Sequence, residues 1–227
     1  MRNPEFVKAA FSAIAPRYVA TNHVLSMGVD LLWRQRVVQL VSEWKPERLL
    51  DLATGTGDLA LAILNAMPEI RLTGSDFCQP MLDVAARRGL DNLVCADAMN
   101  LPFSSASYDA VTVAFGLRNM ASYPDALREM GRMLRPGGHL LILDFSLPEN
   151  LLKSPYRFCL HRILPVIAGW MTGHREAYDY LAESIEAFPS GQAMQDLLRD
   201  CGYSNITAEP LNGGIASIYT CLLYTSD

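Results

Sequence analysis

The segment Leu49-Leu50-Asp51-Leu52-Ala53-Thr54-Gly55-Thr56-Gly57-Asp58 holds the residues best suited to chemistry. An apolar run of the kind that forms a buried strand ends at an acid and a glycine-rich turn. A helical pattern begins at once behind it. Such a turn brings bare backbone and the free N–H groups of a helix start up against a bound small molecule. Gly55-x-Gly57-x-x-Ala60 also satisfies the G-x-G-x-x-G/A dinucleotide fingerprint. Asp76 stands where that fingerprint wants its ribose acid, ~20 residues on. NAD is therefore one ligand open to this turn, and a tight connection with no ligand is another reading. The neighbouring acids favour a cation. Asp51 precedes the turn and Asp58 follows Gly57. Carboxylates so near a helix start repel a pyrophosphate and attract a sulfonium with an α-amino group. Asp97 follows the third apolar run, well placed to accept from an adenine amino group. Asp109 opens the fourth. Acids recurring at successive strand ends carry weight because ligands bind there in open α/β sheets.

The elements that must position these residues follow from hydrophobic periodicity. Asn3-Pro4 reads as a cap and first helical residue, with Phe6, Val7, Ala10, Phe11 and Ile14 recurring until Pro16. A second helix spans 30–43, with Trp33, Val37, Leu40 and Val41 inward. From residue 48 strands and helices alternate: strands over 48–52, 70–76, 93–96, 108–114 and 139–145, helices over 58–67, 79–89 and 124–134. Pro136-Gly137-Gly138 stops the last of these helices. Strands separated by helices of about ten residues mean a parallel sheet covered on both faces. The stretch from Pro148 to Pro189 breaks the rhythm and reads as a helical cap over the carboxyl edge. A helix over 191–201 and a strand pair around Asn212-Gly213-Gly214 close the chain.

At 227 residues and 50% hydrophobic content, the chain can bury one core with a modest insertion. We read one domain: N-terminal helices (1–45), cofactor-binding core (46–147), cap (148–190) and closing helix and strands (191–227). Nineteen basic against twenty-four acidic residues, with no long basic run, argue against nucleic acid. Five scattered cysteines without a C-x-x-C pair read as reduced thiols of a cytoplasmic protein. Met1-Arg2-Asn3-Pro4-Glu5 opens no apolar signal segment, and no apolar stretch reaches the ~20 residues of a spanning helix. A peripheral site at the inner face of a membrane stays open. No metal-ligand cluster stands out, so no metal is expected. The last six residues read oddly for a chain end and carry no functional weight.

The order LDLATGTGD, SDF, AD-A-x-x-LPF, YD and LRPGG resembles class I S-adenosylmethionine-dependent methyltransferases. The resemblance implies a Rossmann-like, doubly wound, seven-stranded α/β sheet with its last strand antiparallel. It also implies a site for S-adenosyl-L-methionine. Gly55 and Thr56 would lie at the methionine part, Asp76 at the ribose, Asp97 and Ala98 at the adenine, with Asp51, Gly57, Phe77 and Ala114 completing the site.

A narrower resemblance covers nearly the whole chain. It rests on F-S-x-I-A-x-x-Y and N-x-x-L-S-x-G-x-x-x-x-W-R between Phe11 and Arg34, on Phe115-Gly116-Leu117-Arg118-Asn119, and on Tyr178-x-Tyr180-Leu181-x-x-Ser184-Ile185-x-x-Phe188-Pro189. Gly213-Gly214-Ile215-Ala216 adds to it. These segments are similar to the ubiquinone/menaquinone biosynthesis C-methyltransferase family. Departures are Ala114, where the family often has a small polar residue, and Asp144 in place of Glu. The match is also loose around His161 and Pro165, and the stretch 220–227 departs from the family's ending.

The implied reaction is methylation of a ring carbon of a polyprenylated quinol. Demethylmenaquinol leads as acceptor, ahead of the ubiquinone-pathway methoxy-benzoquinol and phytyl naphthoquinol. Arg118 is the first candidate to organise the deprotonated ring oxygen, because a guanidinium stays charged and offers a fork of donors; the alternative is a structural pair with Asp144. Asn119 could hold a quinol oxygen or cap a turn. Tyr18 could line the ring pocket or the core. His161 could accept a proton or serve only structure. Tyr156, Phe158, Trp170, Tyr178, Tyr180 and Phe188 could cover the isoprenoid tail, and Leu160, Ile163, Leu164, Val166 and Ile167 could meet a bilayer; in each case a packed cap is the plainer reading. A homodimer or a quinone-biosynthesis assembly is open. The rival classes are an NAD-dependent dehydrogenase and a non-catalytic scaffold.

Overall fold

A computed structural model of the chain describes residues 28–148, 151, 153–163 and 175–224. The helix expected from Asn3-Pro4, candidate Tyr18, Trp170 and the side chain of Tyr178 lie outside the described residues. The first described helix is α1 (Val29–Trp44), followed by β1 (Arg48–Leu52), α2 (Asp58–Ala66), β2 (Arg71–Asp76), α3 (Gln79–Arg87) and β3 (Leu93–Cys95). Next come β4 (Tyr108–Ala114), a 3₁₀ turn (Leu117–Asn119), α4 (Tyr123–Met133) and β5 (Leu134–Phe145). The chain closes with α5 (Lys153–Phe158), a π turn (Cys159–Ile163), α6 (Arg175–Ala187), α7 (Gln192–Asp200), β6 (Tyr203–Leu211) and β7 (Ala216–Leu223).

The strands form one seven-stranded sheet in the order β3-β2-β1-β4-β5-β7-β6. All neighbours run parallel except β7, which is antiparallel to both β5 and β6. This is the sheet implied by the methyltransferase resemblance. Its order reverses beside β1, where β1 pairs with β2 on one side and β4 on the other. A crevice opens there at the carboxyl ends of the strands.

The central strands β1, β4 and β5 are buried on both faces, which is why they read as nearly continuous apolar runs. Alternation assigns the sides. Leu50 and Leu52, with Val111, Val113, Leu140 and Ile142, pack under α4 and α7. Leu49, Ala110, Leu141 and Leu143 pack under α1 and α2, against Trp33, Val37, Val41 and Ile63. Asp51 therefore faces the α1 side of the sheet, and Asp144 faces the α4 side. Leu40, expected inward, is only half-buried.

Two boundaries differ instructively. β5 starts at Leu134, not at residue 139, because Tyr108 already pairs with Leu134 before a bulge restores register at Ala110–His139. The Pro136-Gly137-Gly138 stop lies inside that bulge, with Gly137 at φ 73°. Asp109 sits at the opposite, amino end of the strands. It accepts the N–H groups of Glu47 and Arg48 and pairs with Arg135, so it takes no part in the carboxyl-edge crevice.

The cap rests on the end of β5. Leu160, Ala182 and Ile185 form a small core with Phe145, Leu147, Tyr156 and Leu181. Leu160 is thus a packing residue and not a bilayer contact. The aromatic stripe divides: Phe188 is buried edge-on against Tyr123, whereas Phe158 is exposed. No described helix is long and apolar enough to cross a membrane.

Candidate active site

The crevice is walled on one side by the glycine turn after β1 and the end of β2. The start of α2 and Arg34 of α1 close one end, and the turn after β4 forms the far wall. Asp51, Gly55, Thr56, Asp76, Phe77 and Ala114 all line it.

Asp76 builds the glycine turn as well as facing the crevice. One carboxylate oxygen accepts the Gly55 N–H at 2.9 Å and the other accepts the Cys78 N–H at 2.9 Å. Each oxygen keeps a second lone pair for a ligand hydroxyl. Burial raises the Asp76 pKa, while these N–H groups pull it back. Asp51 is 1% exposed and accepts from Thr54 Oγ1 at 2.7 Å and Thr112 Oγ1 at 2.6 Å. Burial outweighs both hydroxyls and pushes its carboxyl up to about 6. An acid so poorly neutralised by protein groups gains from a cationic ligand.

Asp58 differs from the expectation. Arg88 holds it at 2.6 Å and also donates to the Thr56 carbonyl at 2.6 Å, with Arg34 Nη2 3.9 Å away. Its charge is largely matched within the protein, so repulsion of a pyrophosphate falls to Asp51 and Asp76. Gly57 does not line the crevice. A Cβ there would meet Ala85 at 3.3 Å and Leu90 at 3.4 Å, so this glycine serves helix–helix approach.

The far wall is held tightly. Phe115 (φ 58°) and Ala53 (φ 51°) both adopt the left-handed region, unusual for residues with a Cβ. Gly116 lies so close that a Cβ on it would fall 2.3 Å from that of Ala53. The β1 and β4 turns can meet across the crevice only because residue 116 has no side chain. Trp33, Phe115 and Phe145 pack beneath with tilted and edge-on rings, centroids 4.8 to 6.0 Å apart.

Arg118 does not reach the crevice. Its Nη1 pairs with Asp144 at 2.6 Å and donates to the Phe115 carbonyl, and its guanidinium lies 5.2 Å over Phe145. Asp144 also accepts the backbone N–H groups of Arg118 and Phe145. The structural alternative for Arg118 is what the geometry provides. Its Nε is buried without a hydrogen-bond partner among the described residues. Asn119 does line the crevice, and Tyr180 of α6 contacts its Oδ1 at 3.4 Å. His161 points elsewhere: it pairs with Glu186 at 3.0 Å on the cap surface, beside Arg157. Asp97 and Ala98 sit at the end of β3, one strand beyond Asp76, outside the crevice lining. There Asp97 accepts the Met99 N–H at 2.9 Å.

Arg34 is the residue the sequence reading passed over. It lines the crevice at 8% exposure, pairs with Asp30 one helical turn back, and lies 5.7 Å over the Phe115 ring. The available signal was its i, i+4 spacing from Asp30, next to an inward Trp33.

These carboxylates give the fold a pH dependence. The Asp51 pKa is higher folded than unfolded, so the native state holds more protons between pH ~4 and ~6 and stability falls as pH rises through that window. A shift of roughly two units corresponds to about 3 kcal/mol at most. Asp51→Asn should raise the melting temperature of the ligand-free protein at pH 7.5 and flatten the slope between pH 4 and 6. Thermal melts across that range test it; an unchanged slope in the variant contradicts the assignment.

A model of the family described as "ubiE/COQ5 methyltransferase family" matches residues 1–222. A demethylmenaquinone methyltransferase from Thermus thermophilus is 46% identical over 215 residues, covering 92% of this chain and 97% of the relative. A ubiquinone/menaquinone biosynthesis C-methyltransferase UbiE from Bdellovibrio bacteriovorus is 40% identical, covering 96% and 95%. Among solved structures, a SAM-dependent methyltransferase from Thermotoga maritima superposes with a TM-score of 0.69 at 18% identity, covering 95% of this chain and 99% of that one. A phosphoethanolamine N-methyltransferase 2 from Haemonchus contortus, in complex with S-adenosyl-L-methionine, gives 0.62 at 15% identity, covering 85% and 53%. The two structural likenesses speak to the fold alone.

Proposed function

We propose, since the chain belongs to the ubiE/COQ5 methyltransferase family, that it methylates a ring carbon of a polyprenylated quinol, demethylmenaquinol, with S-adenosyl-L-methionine as donor. The observation that carries the acceptor is the likeness to demethylmenaquinone methyltransferases over nine-tenths of the chain. The crevice supports the donor. Buried carboxylates Asp51 and Asp76 suit a ligand with cationic groups and hydroxyls, and they disfavour the pyrophosphate of NAD. Leu59, Phe77 and Met81 offer apolar surface beside them.

In this reading Asp76 takes the ribose hydroxyls, Gly55 and Thr56 lie along the methionine arm, and Asp51 balances positive charge. Asp97 and Ala98 would meet the adenine only where it extends past β2. Bound there, S-adenosylmethionine supplies an electrophilic methyl group. The protein must supply an activated carbon. A quinol carbon becomes nucleophilic when its neighbouring hydroxyl loses a proton, and phenols have pKa ~10. Anion and cation are both consumed in the transfer, so strong charge clamping would favour reactants as much as the transition state. Orientation and exclusion of water carry more. We assign orientation to the turn from Phe115 to Asn119, with Asn119 facing the ring, Arg118 locking the turn from behind and α6 closing above. His161 has no part in this scheme. The acceptor's polyprenyl chain requires contact with a membrane surface.

The direct test is the purified protein with S-adenosylmethionine and demethylmenaquinol in lipid vesicles. Mass spectrometry should find menaquinol, and deletion strains should accumulate the unmethylated ring until the gene is restored. Donor binding without methylation of any quinol would leave a scaffold as the better reading.

A further inference from the structure

Arg34 has no role in the scheme above, yet it is the one cation among the described residues lining the crevice. The other charged groups there are Asp51, Asp58 and Asp76. We infer that Arg34 receives the α-carboxylate of the donor's methionine arm and thereby sets the preference for an intact amino acid. This rests on the donor assignment of the preceding section.

Three observations carry it. Arg34 is buried to about nine-tenths, and its single hydrogen bond among the described residues goes from Nη1 to Asp30. A guanidinium has five donors in a fixed fork, so donors remain for a carboxylate. Next, α2 begins beside it. Its N-cap Gly57 makes no side-chain cap, and Thr56, Asp58 and Leu59 of that start line the same crevice. Uncapped N–H groups at a helix start favour an anion. Third, the surrounding charges leave room for one. Asp58 is held by Arg88 at 2.6 Å, while Arg34 Nη2 is 3.9 Å from it, beyond hydrogen-bond range. Asp30, Asp58, Arg34 and Arg88 thus sum to zero. A zwitterionic arm then finds a cation for its carboxylate at Arg34 and carboxylates for its positive groups at Asp51 and Asp76. Asp30 fixes the guanidinium, so less order is lost when the ligand arrives.

Calorimetric titration with S-adenosylmethionine and with its decarboxylated analogue tests this. The wild type should bind the intact compound roughly 10- to 100-fold more tightly, the range of a charge-assisted contact. Arg34→Met should erase that ratio by weakening the intact compound alone. Arg34→Lys, which preserves the ion pair with Asp30, should retain part of it and guards against loss of fold. Equal affinity of the wild type for both compounds overturns the inference, as does a parallel loss of both in Arg34→Met with the lysine variant folded. Failure of the wild type to bind either compound removes the donor assignment itself, and this inference with it.

Discussion

Arg118→Ala should lower stability by about 3–5 kcal/mol, the cost of leaving one partner of a buried ion pair alone. Arg118 and Asp144 are 4% and 0% exposed as side chains, and Asp144 accepts two backbone N–H groups besides the guanidinium. Removal of the arginine strands a carboxylate in a site closed to solvent. It also leaves the Phe115 carbonyl with only the Asn119 Nδ2 donor at 3.3 Å and uncovers the aromatic face of Phe145. Two to four degrees per kcal/mol is usual for a domain of this size, so the melting temperature should drop by roughly 6–20 °C. Activity would fall with it, and the single variant cannot assign a cause. Arg118→Gln combined with Asp144→Asn replaces the ions by a neutral hydrogen-bonded pair. That variant should regain much of the stability. If Arg118 positions the turn and does not touch the quinol, it should also regain donor affinity and a substantial part of kcat. A stable double variant with intact donor binding and no turnover would instead make Arg118 a group that meets the reacting oxygen.

Asp76→Asn should weaken S-adenosylhomocysteine binding by about 100-fold, the size expected from losing two charge-assisted contacts to ligand hydroxyls. It should also destabilise the ligand-free fold, for a separate reason. The Asp76 carboxylate accepts two N–H groups, one per oxygen. An amide has one acceptor oxygen, so either flip turns an NH₂ donor onto the N–H of Gly55 or of Cys78. One unsatisfied buried N–H costs about 1–3 kcal/mol. Loss of the raised carboxylate pKa offsets part of that near neutral pH. Calorimetric titration and thermal melts separate the two effects. Full ligand affinity in the variant would place the ribose elsewhere.

The sheet was legible because its signal is local. Strands β1 and β4 carry their buried runs between clear turn residues, and their boundaries agree with the sequence reading. The start of β5 was not legible, since a proline-glycine-glycine sequence reads as a turn, and only pairing with Tyr108 draws Leu134 into the strand. Within the site, Asp51 and Asp76 lie in the last two residues of their strands and Gly55, Thr56 and Phe77 follow within a few residues, so sequence order alone brings them to the crevice. Gly57 packs against Ala85 and Leu90 outside the crevice lining, since the fingerprint records that a glycine is needed and not which neighbour needs it.

By itself the sequence determined the alternation of strand and helix and the acids at the strand ends. These depend on periodicity and turn chemistry within a few residues. The seven-stranded sheet with its last strand antiparallel was implied by the family resemblance, and its order came with the structure. Only the tertiary structure decided which charges are matched. Asp58 meets Arg88 across 30 positions and Arg118 meets Asp144 across 26. Arg34 arrives at the crevice on a helix that precedes every strand. A charge acts through what lies within a few ångströms of it in a poorly screening interior, and that distance is set by packing, not by spacing along the chain.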